Sequence, residues 1–126
     1  MVVHTFRKRE RMVSRRLIEM LFDGSHSMAA YPLRLIYRTT TRQAGDAPAQ
    51  LLISVSKRRF KHAVDRNRVK RQLREAYRKH KQVVCDALSA DKRLLLAIVW
   101  QTDRHQPSAD IDERMARLMH RVAEKL

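Results

Sequence analysis

Between Lys57 and Lys81 the chain sets twelve basic residues against only Asp65 and Glu75, yet one flank of the same stretch is apolar. Val69, Leu73, Ala76, Tyr77, His80, Val84 and Leu88 recur at three- and four-residue intervals, the spacing that lines up side chains on one side of an α-helix. A helix starting between Lys61 and Asp65 and running to about Ala87 is expected. At ~100° per residue, Asn67, Lys70, Arg71, Arg74, Arg78 and Lys81 fall within an arc of about 100°, centred about 130° from the apolar stripe. Any fold built on this chain must bury one side of the helix and leave a row of cations facing outward.

That segment holds +10 of a net charge of +15, and self-repulsion on this scale points to a polyanionic partner. A merely solvated face would mix signs to gain i,i+4 pairs. Here Arg71 with Glu75 is the evident one, in the less favourable order. Arginine outnumbers lysine in the stripe, and its planar fork can grip two phosphate oxygens or stack on a base. If about six phosphates are neutralised, log K should fall with log[salt] at a slope of roughly −4 to −5. A second basic cluster, Arg7, Lys8, Arg9, Arg11, Arg15 and Arg16 against Glu10, belongs to an N-terminal stretch, residues 1–12, expected to be flexible. Residues 110–126 balance acids and bases and look structural.

The 126 residues, 44% of them hydrophobic, suit one core and a single domain spanning 1–126. Ser14 is a candidate N-cap for a short helix with Leu17, Ile18, Leu21 and Phe22 on one side, and Gly24 is placed to stop it. Leu33, Leu35 and Tyr37 alternate with Arg34, Ile36 and Arg38, as Leu51, Ile53 and Val55 do with Leu52, Ser54 and Ser56. Two strands are expected there, read as a β-hairpin around the loop of Gly45, Asp46 and Pro48. A short extra strand between Ser25 and Tyr31 is possible. The unbroken apolar run Leu94 to Trp100 reads as a buried strand, and Pro107 and Ser108 break the chain after it. Ile111, Met115, Leu118, Met119 and Val122 mark a closing helix with Asp110 and Glu113 spaced as a capping box. The order α, β, β, α, β, α argues for an α+β fold, a small mixed sheet with helices packed on it.

One cysteine, Cys85, excludes an internal disulfide, and two glycines leave no glycine-rich phosphate cradle. No apolar run has the length of a membrane span and no signal-peptide pattern is seen, so a cytoplasmic protein without a membrane role is expected.

Ser54-Val-Ser-Lys57, then Ala63-Val64, then Arg66-Asn-Arg-Val-Lys-Arg71 and Leu73-Arg-Glu-Ala-Tyr-Arg78 together resemble the signature of the bacterial ribonuclease P protein subunit. The motif covers about residues 50 to 81. The resemblance implies a left-handed βαβ crossover and a ribosomal protein S5 domain 2-like fold. It implies an accessory subunit of an endoribonuclease in which a catalytic RNA, using magnesium ions, removes the 5′ leader of precursor tRNA. The protein would bind that RNA and the leader, carry no metal or catalytic residue of its own, and be monomeric without RNA. Carried over by position, the RNA-binding residues are Ser56, Lys57, Arg58, Lys61, Arg66, Asn67, Arg68, Lys70, Arg71, Arg74 and Arg78. A leader cleft between sheet and first helix is implied at Ile18, Phe22 and Ile36. The family usually has glycine near position 60 and asparagine near 62, where this chain has Phe60 and His62. It also often has aromatic residues where Ile18 and Ile36 stand.

Other chemistry is weaker on the residues. His80 belongs to the apolar side of the main helix, and His62 in the basic loop suits a phosphate contact better than half of a catalytic pair. Asp110, Asp112 and Glu113 suit a helix N-terminus better than a magnesium site. Cys85, Trp100, Met115, Met119 and Phe22 read most simply as core or half-buried packing. A general RNA- or DNA-binding module without a role in cleavage is the alternative.

Overall fold

A computed structural model describes residues 8–12, 14–23 and 25–126. The strands are β1 (His26–Ala30), β2 (Leu33–Thr41), β3 (Ala49–Ser54) and β4 (Lys92–Trp100). The helices are α1 (Arg15–Phe22), α2 (Ala63–Ala87) and α3 (Ser108–Lys125), preceded by a 3₁₀ turn at Lys8–Glu10. This is the α+β class expected, with the possible extra strand realised as β1.

The apolar run at 94–100 explains the sheet. Leu94, Leu96, Ile98 and Trp100 pack into the core beneath α2 and α3, while Leu95 and Ala97 pack on the opposite face beneath α1. A strand that needs cover on both faces belongs at the centre of a sheet. The order is β1-β2-β4-β3, with β2 antiparallel to β1 and β4, and β3 parallel to β4. The expected hairpin of β2 with β3 is therefore corrected: Ile98 lies between Leu35 and Ile53. Alternation tells which side chains face the core, not which strand lies alongside. The second of those strands also ends at Ser54, because the Ser56 carbonyl accepts the N–H groups of Arg59 and Phe60 in a turn leading to α2.

Ser14 caps α1 as expected, its hydroxyl accepting the Leu17 N–H at 3.4 Å. Gly24, assigned to stop the helix, falls outside the described residues. Leu21 is fully buried, but Phe22 is 51% exposed, a correction to its expected place in the core. In a helix of eight residues only one stripe reaches the sheet, and Phe22 follows Leu21 by about 100°. The capping box on α3 is also corrected. Pro107 occupies the cap position without a side-chain bond, so Asp110 lies inside the first turn, and Glu113 pairs with Arg114 and Arg117. Trp100, Met115 and Met119 are core residues as expected.

Residues 8–12, part of the stretch expected to be flexible, pack along the sheet; residues 1–7 are outside the described set. Met12 is buried, and its N–H donates to the Leu51 carbonyl at 2.9 Å. Arg11 bridges to Leu51 in parallel fashion, and the Gln50 side-chain amide donates to the Arg9 carbonyl at 3.0 Å. This segment lies along β3, one outer strand of the sheet. At the other outer strand, β1, Arg121 donates to the Ala29 carbonyl at 2.9 Å and Arg114 to the Tyr31 carbonyl at 3.2 Å. The Ala29 carbonyl belongs to the strand and the Tyr31 carbonyl to the turn that follows it.

Candidate nucleic-acid interface

The α2 helix meets the demand set by its sequence. Val69, Leu73, Tyr77 and Val84 are fully buried against the sheet and α3. Each buried leucine of this kind contributes ~2 kcal/mol, enough to hold a cationic rod in place against its own repulsion. On the far side Asn67 and Arg71 are exposed, and Lys70, Arg74 and Arg78 are partly exposed.

Lys81 does not belong to that row. Its side chain is 9% exposed and its Nζ lies 2.6 Å from Glu10 Oε2, an ion pair spanning most of the length from the N-terminal turn to the end of α2. Nothing in the helical wheel revealed a partner 71 residues away. The Arg71–Glu75 pairing does not form either: Glu75 accepts from Arg78 at 2.6 and 3.1 Å. Glutamate preceding its cation is the favoured order on a helix. The Arg78 hydrogen bond holds the Glu75 carboxyl below the usual carboxylate range.

Arg66 and Arg68 lie off the stripe. Arg66 Nη1 donates to the carbonyls of Phe60 and Lys61, both at 2.9 Å, and so fastens the β3–α2 loop. Arg68 is exposed one turn before Gln72, whose amide reaches the Gln106 carbonyl and the Ser108 hydroxyl ahead of α3. The loop presents Ser56, Lys57, Arg58 and Lys61 to solvent. Phe60 explains how it does so. The ring is 7% exposed and stacks on His105 with centroids 4.6 Å apart and planes at 20°, while His105 Nε2 lies 3.1 Å from Asp65 Oδ1 in α2. An aromatic residue where the family pattern has glycine has thus acquired an aromatic partner from the β4–α3 loop. His62 is exposed at the α2 N-terminus and makes no cap bond.

Two cations were missed from sequence. Arg11, assigned to a flexible tail, lines a groove of about 520 Å³ with Arg71, Arg74 and Arg78, and an adjoining one with Lys70 and Arg74. Burial, then the nearby charges of Arg11 and Arg71, push the Arg74 guanidinium below its ordinary value, though it stays protonated at neutral pH. No local signal marked Arg11, because its position comes from pairing along β3. Arg34 is the second. Across the α1 face of the sheet, Ser27, Ile36, Ala97 and Leu52 form one row and Ala29, Arg34, Val99 and Ser54 the next. Arg34 is exposed there, and the strand alternation that placed Ile36 on this face places Arg34 beside it. Ile18 and Ile36 pack in one small cluster with Leu52, and Phe22 stands exposed at the end of α1.

Of the three acids near the start of α3, Asp112 lies 3.1 Å from His80 Nε2 and 3.9 Å from Lys79 Nζ, and Glu113 is held by two arginines. Among the described residues no group of three or more histidines, cysteines and acids could hold a metal ion. Burial pushes the half-buried Cys85 thiol up, away from a reactive thiolate.

Comparison with known proteins gives a consistent picture. The family profile described as Ribonuclease P matches residues 6–123. A protein of Porphyromonas gingivalis called Ribonuclease P protein component is 34% identical over 118 residues, covering 92% of this chain and 85% of that one. The protein of that name from Chlorobium phaeobacteroides is 35% identical over 130 residues, covering 95% and 89%. Among solved structures, the RNase P protein of Thermotoga maritima superposes with a TM-score of 0.69 at 21% identity, over 89% of this chain and 96% of that one. The RNase P protein of Staphylococcus aureus gives 0.65 at 22% identity, over 91% and 95%.

Proposed function

We propose, from the premise that this chain belongs to the ribonuclease P protein family, that its α2 stripe and the β3–α2 loop grip the catalytic RNA of that enzyme. As a member it is a subunit of an endoribonuclease holoenzyme and has an RNA partner. The carrying observation is that Asn67, Lys70, Arg71 and Arg74 stand on the solvent side of a helix whose opposite flank is fully buried. Cations fixed to a packed helix lose little entropy on meeting phosphates. Ser56, Lys57, Arg58, Lys61, Arg68 and Arg78 extend this surface, whereas Arg66 acts through the loop it fastens.

The 5′ leader of precursor tRNA lies in the cleft of Ile18, Phe22 and Ile36. There Phe22 supplies an exposed ring for stacking and Arg34 a charge for the backbone. With isoleucine at the other two positions, the cleft favours apolar contact over multiple stacking. Magnesium is held by the RNA of the holoenzyme, in keeping with the family's use of a catalytic RNA. The protein acts in the cytoplasm, as a monomer until RNA binds; among the described residues no helix is long and apolar enough to cross a membrane. The comparisons lend no support to a general nucleic-acid-binding role.

The test is reconstitution. Added to a bacterial ribonuclease P RNA at low magnesium, the protein should stimulate 5′ maturation of precursor tRNA. Absence of stimulation, with equal affinity for a DNA duplex, would reject the proposal.

A further inference from the structure

We infer that Arg11, Arg71 and Arg74, with Lys70, form one phosphate-binding locus, and that the Glu10–Lys81 ion pair is the device that positions Arg11 within it. The inference rests on the RNA-binding role proposed above and adds to it a residue and a positioning pair that the α2 motif does not contain.

The geometry has three parts. Arg11 and Arg74 line both grooves that flank this side of α2, so they stand at a shared wall, with Arg71 on one side and Lys70 on the other. Burial, and after it the nearby charges of Arg11 and Arg71, hold the Arg74 guanidinium below its ordinary value. Glu75, which lines the larger groove with Arg11, Arg71 and Arg74, is bound by Arg78. Like charges gathered on a folded surface raise its free energy unless an anion meets them. A phosphodiester does so with oxygens that suit the guanidinium fork.

Arg11 also cannot drift from this place. It sits between Glu10, whose carboxylate is 15% exposed and bound to the 9% exposed Lys81 ammonium, and Met12, which is buried and bonded to Leu51. Loss of one partner from such a covered pair leaves the other charge uncompensated. Removing Glu10 therefore frees the 3₁₀ turn from α2. The sign of the outcome is diagnostic. Deleting an acid from a cationic surface ordinarily tightens RNA binding, whereas deleting a positioning acid weakens it.

The experiment measures filter retention of a bacterial ribonuclease P RNA transcript between about 50 and 200 mM KCl, with circular dichroism on each variant. Arg11→Ala should weaken binding about tenfold at the lower salt and make the log–log salt slope shallower by about one unit. Glu10→Gln should weaken binding by a similar factor with a similar change of slope. Arg11→Ala made in the Glu10→Gln background should add less than twofold, as expected for residues that act as a unit. A folded Glu10→Gln protein that binds as tightly as wild type, or tighter, overturns the positioning role, as do fully additive effects. If Glu10→Gln melts below the assay temperature, Arg11→Ala decides alone, and an unchanged slope overturns the locus. Wild-type protein that shows no preference for the transcript over duplex DNA would instead reject the proposed function.

Discussion

Arg66→Ala and Arg71→Ala should have opposite consequences although both remove a guanidinium from the same helix. Arg66 Nη1 serves the Phe60 and Lys61 carbonyls at 2.9 Å each, one bond partly buried and one exposed. Net hydrogen bonds to a charged group contribute about 1.5–3 kcal/mol each. Taking the partly buried bond at the lower end of that range and discounting the exposed one gives a loss of about 2 kcal/mol. For a domain of this size that is a fall in Tm of roughly 6–10 °C. Arg71 is exposed, so its replacement should change stability by less than about 0.5 kcal/mol while removing about one unit from the salt slope of RNA binding. Thermal melts by circular dichroism at fixed ionic strength read the first quantity and filter binding over a salt series reads the second. An Arg66→Ala protein melting within 1–2 °C of wild type, or an Arg71→Ala protein losing stability to the same extent, would refute the assignment of one arginine to the loop and the other to the RNA.

Glu75→Gln should tighten RNA binding about threefold, since it removes a carboxylate beside Arg78 from a surface that meets phosphate; unchanged or weaker binding contradicts this. The same substitution should flatten part of the acid limb of stability. The Glu75 carboxyl titrates below its ordinary range when folded, so its contribution is complete at neutral pH and is lost as pH falls through that depressed value. Leu96→Ala, at the centre of the sheet, should cost about 2–5 kcal/mol in urea denaturation with RNA contacts untouched. Iodoacetamide should modify Cys85 in folded protein far more slowly than in urea at pH 7.5, because burial raises the thiol; equal rates would place the thiol on an open surface.

The elements carrying a complete local signal were legible in the sequence. α2 shows itself through a three-to-four-residue spacing kept up along a helix of 25 residues, α1 through Ser14, and β4 through an apolar run that only a doubly covered strand requires. Besides the cap of α3 and the exposure of Phe22, the errors concern long-range partners. Alternation in β2 and β3 gave the faces correctly but not β4 as the neighbour between them. A wheel gave Lys81 its angle but not Glu10. The motif carries Arg66 into the binding set by residue type, which gave no sign of the two carbonyls that its guanidinium also serves. Phe60 stood out as a departure, and its cause lay 45 residues onward in His105.

Arg121 and Arg114 complete the carbonyls of Ala29 and Tyr31 on one border of the sheet, and the 8–12 segment runs along the other. A naked strand border is a template on which a stray chain can continue the ladder. With the 8–12 segment running along β3 and Arg121 holding the Ala29 carbonyl of β1, each border offers a stray chain a shorter free ladder on which to zip into fibres.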